Sequence, residues 1–283
     1  MTKDEKIAKL GKEITDRATV LLGKDKITPE SPEYLGINSA LKFTAVKYDE
    51  KMADDILDIA LTMKKRVPLT IEQLAKKNPQ FDRAYLEKAL QALSESGLVE
   101  FHWENLDGKN PNHEKRWVLD MFVPGSAEIM MINPEQSDMY PETADFFERM
   151  AYLPLAGITE MVPPGGAGIG MHVIPVEKAI ETENRSADIE HISHWLKKYD
   201  GKYAAGPCSC RMSRAAMGEG CGDDPDDWCI GVGDMADYLV ETNKGHYVTY
   251  DEVMQILQKA EDNGFVHQIT NIDGENKIFA ICN

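Results

Sequence analysis

Apolar residues recur at intervals of three and four through the first part of the chain, which is the pattern of amphipathic helices. Residues 1–50 carry this pattern from Ile7 to Leu22, and Pro29 and Pro32 interrupt it before a second short helical stretch. We therefore predict an N-terminal helical segment over residues 1–50, whose role is packing or contact with a partner helix.

Residues 51–124 carry three helical stretches followed by two stretches in which apolar and polar residues alternate. The second helix follows Thr70, which forms a capping-box pair with Gln73, and the third is stopped by Gly97. This element order is that of a winged helix-turn-helix, so we predict a winged-helix-like domain here. The predicted helices cover 53–65, 71–77 and 82–96, and the predicted strands cover 98–103 and 116–122.

Two further regions complete the predicted organisation. Residues 125–200 are a connecting α/β region whose glycine-rich run, 163–170, lacks the ending and flanking elements of a phosphate loop. We expect that run to be a flexible or close-packed loop, with the wall of a cofactor site as the alternative. Residues 201–283 are a cysteine-cluster region with a helix and a hairpin. Within it, residues 246–283 repeat the order of helix, strand, turn and strand, and the last strand, 277–282, returns Cys282 toward the cysteine-rich loop.

The predicted fold class is therefore α+β and mostly helical. It combines a winged-helix-like N-terminal unit with a second unit, made of a helix and a β-hairpin, around the cysteine-rich loop.

Charge argues against one function class that a winged helix would otherwise favour. The formal net charge is −17, whereas nucleic-acid binding depends on clustered Lys and Arg. The predicted third helix, where bases would be contacted, carries Arg83 and Lys88 against Asp82, Glu87 and Glu95. We expect no nucleic-acid partner and a scaffold or protein-docking role for this domain. We attribute the net negative charge to a requirement for solubility, with a docking surface for a basic partner as the alternative.

Composition and targeting signals indicate a cytoplasmic protein. The chain has 283 residues, of which 42% are hydrophobic and 28% charged, as in ordinary globular proteins. No stretch approaches the roughly 20 apolar residues of a membrane span, and the N-terminus has no apolar signal core. We expect no membrane contact. An odd, clustered set of five cysteines argues against a secreted disulfide framework.

The cysteines carry the strongest chemical signal in the sequence. Four of them lie between residues 208 and 229 with the spacing C-x-C-x10-C-x7-C, in a stretch made loop-like by glycines and a proline. Thiolates gathered by tight turns are typical ligands of a soft metal or an iron–sulfur cluster. Arg211 follows the second cysteine and supplies positive charge against the anionic sulfurs. The candidate ligands are Cys208, Cys210, Cys221 and Cys229, with Cys282 as the fifth cysteine.

The spacing favours iron–sulfur over zinc. Zinc sites use C-x2-C pairs, which C-x-C fits less well, whereas clusters tolerate irregular spacing. Zinc and the absence of any metal stay open as alternatives. The acidic loop at 223–227 is interpreted as a solvated turn, with a docking edge as the alternative.

Several short motifs follow one another in the last third of the chain. They are Pro-Cys-Ser-Cys-Arg at 207–211, Cys221, Cys-Ile-Gly-Val-Gly at 229–233, Val-Thr-Tyr-Asp-Glu-Val at 248–253, Ala-Glu-Asp-Asn-Gly-Phe-Val-His at 260–267 and Ile-Cys-Asn at 281–283. This order is similar to that of iron–sulfur ferredoxin-type proteins of anaerobic bacteria and archaea, in which a winged-helix-like half precedes the cysteine region. The resemblance covers roughly residues 60–283.

The resemblance implies electron transfer through a cluster, with 4Fe–4S favoured. It implies that Cys208, Cys210, Cys221 and Cys229 are cluster-associated ligands and that Cys282 begins the next set. His267 matches the Val-His position of the group, where it is expected to bond to a sulfur or a carbonyl or to serve a structural role.

Fuller members of the group continue into more cysteines, a ferredoxin-like domain and, in some, an FAD/NAD(P)-binding domain. We therefore expect this chain to be the leading part of a longer polypeptide or a shortened relative. Any FAD or NAD(P) is expected on a following domain or a partner chain.

These inferences converge on one predicted function: an iron–sulfur electron-transfer module of a cytoplasmic NAD(P)H- or ferredoxin-linked flavin/iron–sulfur oxidoreductase. Its partner is a redox protein or a following ferredoxin or flavin domain, and oligomerisation stays open. We find no complete active site in the sequence, and we expect the chain to be a component or the N-terminal module of an oxidoreductase. The alternative is a zinc-stabilised winged-helix adaptor or transcription regulator. A cysteine-nucleophile hydrolase or transferase is disfavoured, because no His has a suitable spacing.

Overall fold

The computed structural model describes residues 1–22, 26–105, 108–148, 171–173, 192–199, 201–222, 227–270 and 278–283. These residues form both helices and strands, which confirms the α+β class. The glycine-rich run at 163–170 and most of the acidic loop at 223–227 lie outside the described residues.

Helices make up most of the regular structure. Within the described ranges, no helix combines the length and the apolar composition that a membrane span requires. The helices are α1 (Lys3–Leu22), α2 (Pro32–Lys47), α3 (Glu50–Ala60), α4 (Ile71–Lys77), α5 (Arg83–Glu95), α6 (Ala127–Met131), α7 (Pro134–Met139), α8 (Thr143–Glu148), α9 (Ile192–Lys198), α10 (Ser209–Ala216), α11 (Asp234–Glu241) and α12 (Tyr250–Asp262), and a π-helical turn covers Phe122–Ser126.

The strands form two antiparallel sheets. One has the order β1-β3-β2 and the other the order β4-β8-β9-β6-β5-β7. The strands are β1 (Leu69–Thr70), β2 (Val99–His102), β3 (Arg116–Leu119), β4 (Met171–Val173), β5 (Tyr203–Gly206), β6 (Cys229–Val232), β7 (His246–Tyr247), β8 (Gln268–Thr270) and β9 (Ala280–Cys282).

The chain forms two compact units. The first comprises Met1–Ile158 and Ser209–Asp224, and the second comprises Thr159–Cys208 and Pro225–Asn283. The cysteine-rich stretch is therefore divided between the two units.

Local sequence signals explain where the helices begin. The predicted capping box is present, because Thr70 Oγ1 accepts from the Gln73 N–H and the Gln73 side chain accepts from the Thr70 N–H. Pro32 is the first residue of α2, so the prediction that it ends a helix was wrong. Proline is tolerated in the first turn because the backbone N–H groups there have no acceptor within the helix, so the missing N–H of proline costs no hydrogen bond.

Residues 209–216 were predicted to be loop-like and instead form α10, which is a correction to the sequence interpretation. The glycines of the stretch come only after this helix, and Gly218 ends it with φ near 74°. The helix packs against α8, where the buried Ser213 hydroxyl donates to Glu148 at 2.6 Å. Tertiary contact thus supports a helix in a stretch whose composition predicted a loop.

Glu128 is a half-buried carboxylate in the first turn of α6. The Gly125 N–H donates to its Oε2 at 2.8 Å. Burial, with a smaller contribution from the Glu100 carboxylate, raises the pKa of Glu128 from 4.5 to about 7. The folded chain therefore keeps a proton that the unfolded chain loses, so stability falls as pH rises from about 4.5 to about 7.

We expect Glu128→Gln to remove this loss, because the amide keeps an acceptor for Gly125 and carries no charge. At pH 8 its free energy of unfolding should exceed that of the wild type by about 1–3 kcal/mol, and at pH 4 the gain should vanish. Urea unfolding at both pH values measures the difference. Glu135→Gln, on the exposed surface of α7, is the control. An equal gain at both pH values would contradict the prediction.

Candidate metal centre

Two cysteines face each other across neighbouring strands of the second unit. Cys229 of β6 stands directly opposite Cys282 of β9 in the antiparallel register. The same row continues outward to Gly206 of β5 on one side and to Gln268 of β8 on the other. Residues directly opposite each other project to the same face of a sheet, so the two thiols share a face.

The hydrogen-bond pattern brings these two thiols as close as strand pairing allows. The Val232 N–H donates to the Phe279 carbonyl at 3.0 Å, which makes 232 and 279 a hydrogen-bonded pair. Pair types alternate along an antiparallel ladder, so Cys229 and Cys282, three positions away, form a non-hydrogen-bonded pair. In such pairs the Cα atoms are about 4.5 Å apart and the side chains are at their closest.

A third cysteine belongs to the same corner of the sheet. Cys208 lies two residues beyond Gly206, which is itself opposite Cys229. Cys208, Cys229 and Cys282 are all partly buried, and no disulfide joins any of the chain's five cysteines, all of which are described. The second unit therefore places three cysteines near the ends of β5, β6 and β9, but their three sulfur atoms do not all lie within 4.8 Å of one another.

Small residues shape the face that carries the thiols. The next row of the sheet consists of Ala204, Gly231 and Ala280, over which α11 packs on β5 and β6. A Cβ atom on Gly231 would lie 2.8 Å from Leu239 Cδ1. The absence of a side chain at Gly231 thus allows the helix to approach the sheet directly beside the cysteine row.

The opposite face of the same strands is the core of the second unit. Ile230 and Ile281 are fully buried and pack with residues of α9 and α12. Trp228, just before β6, makes an edge-to-face contact with Phe265 at 5.1 Å between ring centroids. Apolar burial on one face therefore fixes the strands whose other face carries the thiols.

His267 helps to fasten the end of β9. Its ring is 4% exposed, and Nδ1 lies 2.6 Å from Asn283 Oδ1, so Nδ1 is the donor. The Asn283 amide in turn donates to the Trp228 carbonyl at 3.0 Å. His267 Nε2 is buried without a hydrogen-bond partner in the described structure. The hydrogen bonds of His267 and Asn283 thus hold the residue after Cys282 to the residue before Cys229. A role for His267 at a cofactor stays a prediction.

Cys210 and Cys221 lie in the first unit and are exposed. Cys210 is in the first turn of α10, and Arg211 follows it. Past the helix, a Cβ atom on Gly220 would lie 3.2 Å from Ala215 Cα, so the chain folds back along α10 before Cys221. Arg214 forms an ion pair with Glu219 at 2.9 Å, which stabilises the segment that folds back along α10. The roles predicted for Cys210, Cys221 and Arg211 as ligands or cofactor contacts stay predictions.

The structure adds residues that the spacing of the cysteines did not single out. Gly206 and Gln268 join the cysteine row through strand pairing, and Asn283, which follows Cys282, binds the Trp228 carbonyl through its side chain. No local signal predicts these contacts, because each one joins residues far apart in the chain.

Comparison of the chain with protein families, with characterised proteins and with solved structures found no match.

We expect Asn283→Ala to loosen the cysteine corner, because it removes both the acceptor for His267 and the donor to the Trp228 carbonyl. The free energy of unfolding should fall by about 1–3 kcal/mol, since buried polar groups lose their partners. Under reducing conditions Cys229 and Cys282 should also react faster with a thiol-labelling reagent, measured by peptide mass spectrometry. Asn263→Ala, at the exposed end of α12, is the control. Unchanged stability together with unchanged labelling would refute the fastening role.

Proposed function

We propose that this chain is an iron–sulfur electron-transfer module of a larger oxidoreductase, with Cys208, Cys229 and Cys282 among the ligands. The observation that carries the proposal is the row in which Cys229 and Cys282 stand opposite each other, with Cys208 two residues beyond the adjoining Gly206. Three partly buried thiols at one corner are donors that suit a soft metal or a cluster.

Close packing surrounds the cysteine row. A Cβ atom on Gly206 would lie 2.5 Å from the Lys244 carbonyl oxygen, and one on Gly231 would lie 2.8 Å from Leu239 of α11. Common clusters take four Cys thiolates, and hydrogen bonds and burial tune their potential. The second unit contains three of the five candidate ligands.

Such a cluster would pass single electrons, while the protein supplies ligands, insulation and a docking face. The partner is a redox protein, or a ferredoxin or flavin domain that carries any FAD or NAD(P). The cytoplasmic location stays part of the proposal.

We also propose that α3 to β3 form a winged helix that serves as a scaffold or protein-docking module. The support is the order α3, β1, α4, α5, β2, β3, in which both β1 and β2 pair with β3. The basic residues of α5 face acidic or aromatic groups, since Arg83 binds Glu72 at 2.8 Å and Glu87 at 3.0 Å, and Lys88 lies over the Tyr48 ring. Cations engaged in this way are poorly placed to contact phosphates.

Metal analysis of anaerobically purified protein tests the proposed function. We expect iron and acid-labile sulfide in the protein, and a broad visible absorbance that dithionite bleaches. Serine replacement of Cys208, Cys229 or Cys282 in turn should lower the iron content, because each removes a thiolate donor.

The control variant is Val266→Ser, which places a serine on an exposed surface of the same unit and should keep the iron. Serine replacement of Cys210 and Cys221 shows whether the whole predicted set is required. Protein without iron, or with one zinc per chain, would overturn the proposal, and zinc would favour the alternative of a zinc-stabilised adaptor.

A further inference from the structure

We infer that Cys229 and Cys282 form a reversible dithiol–disulfide pair that reacts with low-molecular-weight disulfides. The inference rests on strand register, which is independent of any metal. The two residues are directly opposite each other in β6 and β9, and they occupy a non-hydrogen-bonded position of the ladder.

The expected separation suits a disulfide without movement of the backbone. Disulfides join residues whose Cα atoms are about 4.4–6.8 Å apart and whose Cβ vectors do not point apart. A non-hydrogen-bonded antiparallel pair has a Cα separation of about 4.5 Å and places both side chains on the same face. Cys229 and Cys282 meet both conditions through the register of the sheet.

The surroundings make the pair reactive in both directions. Both cysteines are partly buried, so small thiols and disulfides have access to them. Ile230 and Ile281, on the opposite face, hold β6 and β9 in place in either redox state. The fold therefore presents two neighbouring thiols on a fixed frame.

The disulfide forms in two steps through a mixed-disulfide intermediate. One cysteine sulfur attacks a small disulfide, forms a mixed disulfide and releases one small thiol. The sulfur of the other cysteine attacks the protein sulfur of that mixed disulfide, forms the Cys229–Cys282 bond and releases the second small thiol. The protein loses two electrons and two protons, and the small disulfide is reduced to two thiols.

Disulfide formation would also affect the proposed metal site. This consequence, unlike the disulfide itself, rests on the proposed function. Sulfurs joined in a disulfide are no longer thiolate donors, so oxidation would remove two ligands and release the metal. The pair would thereby couple occupancy of the site to the thiol–disulfide balance of the cell.

The test uses the full chain, equilibrated with mixtures of glutathione and glutathione disulfide, alkylated and digested without reduction. Cleavage before aspartate separates Cys221 from Cys229, because aspartates at 223, 224, 226 and 227 lie between them. We expect two of the five thiols to be lost as the proportion of glutathione disulfide rises. The linked peptide should contain Cys229 and Cys282, exceed all other pairings combined and disappear with dithiothreitol.

Cys229→Ser and Cys282→Ser should each abolish this linkage, whereas Val266→Ser, the control on an exposed surface of the same unit, should retain it. Mapping in the wild-type chain keeps the test decisive if a variant fails to fold. A chain that retains five alkylated thiols, or a dominant linkage through Cys208, Cys210 or Cys221, would overturn the inference.

Iron measured in the same samples separates the two proposals. Disulfide formation in a chain that never binds iron would refute the proposed iron–sulfur function and support the Cys229–Cys282 disulfide. Iron binding without the disulfide would refute only the pair.

Discussion

Antiparallel pairing of β6 with β9 is the constraint on which the cysteine corner depends. It places Ile230 opposite Ile281 on the buried face and Cys229 opposite Cys282 on the other face. A shift by one residue would carry Ile281 out of the core and turn Cys282 into it. Burial of the isoleucines therefore holds the two thiols together, and the chemistry of the site depends on the apolar pattern of its own strands.

The remaining contacts of the second unit reinforce that register from both faces. On the thiol face, Gly231 allows α11 to pack onto the sheet beside the cysteine row. On the other face, hydrogen bonds from His267 through Asn283 to the Trp228 carbonyl fasten the chain at the ends of both strands. The result is a partly buried pair of cysteines on one face of the sheet.

The first unit has a different character. Its helices enclose a mainly apolar core, and the basic residues of α5 are engaged by Glu72, Glu87 and the ring of Tyr48. The segment Ser209–Asp224 belongs to this unit through the contacts of α10 with α6 and α8, although its neighbours in the chain belong to the other unit. The four cysteines at 208–229, which the sequence presents as one group, are thus divided between two separately packed units, a division that spacing alone does not show.

The sequence by itself determined the elements whose signals are local. The capping box at Thr70 and the helical period after Asp82 located α4 and α5, because a helix is stabilised by residues within a few positions of one another. Only the tertiary structure decided the strand order, the pairing of Cys229 with Cys282 and the helix at 209–216. Sheet partners lie far apart in the chain, and α10 depends on its contact with α8, so no local pattern in the sequence reports either.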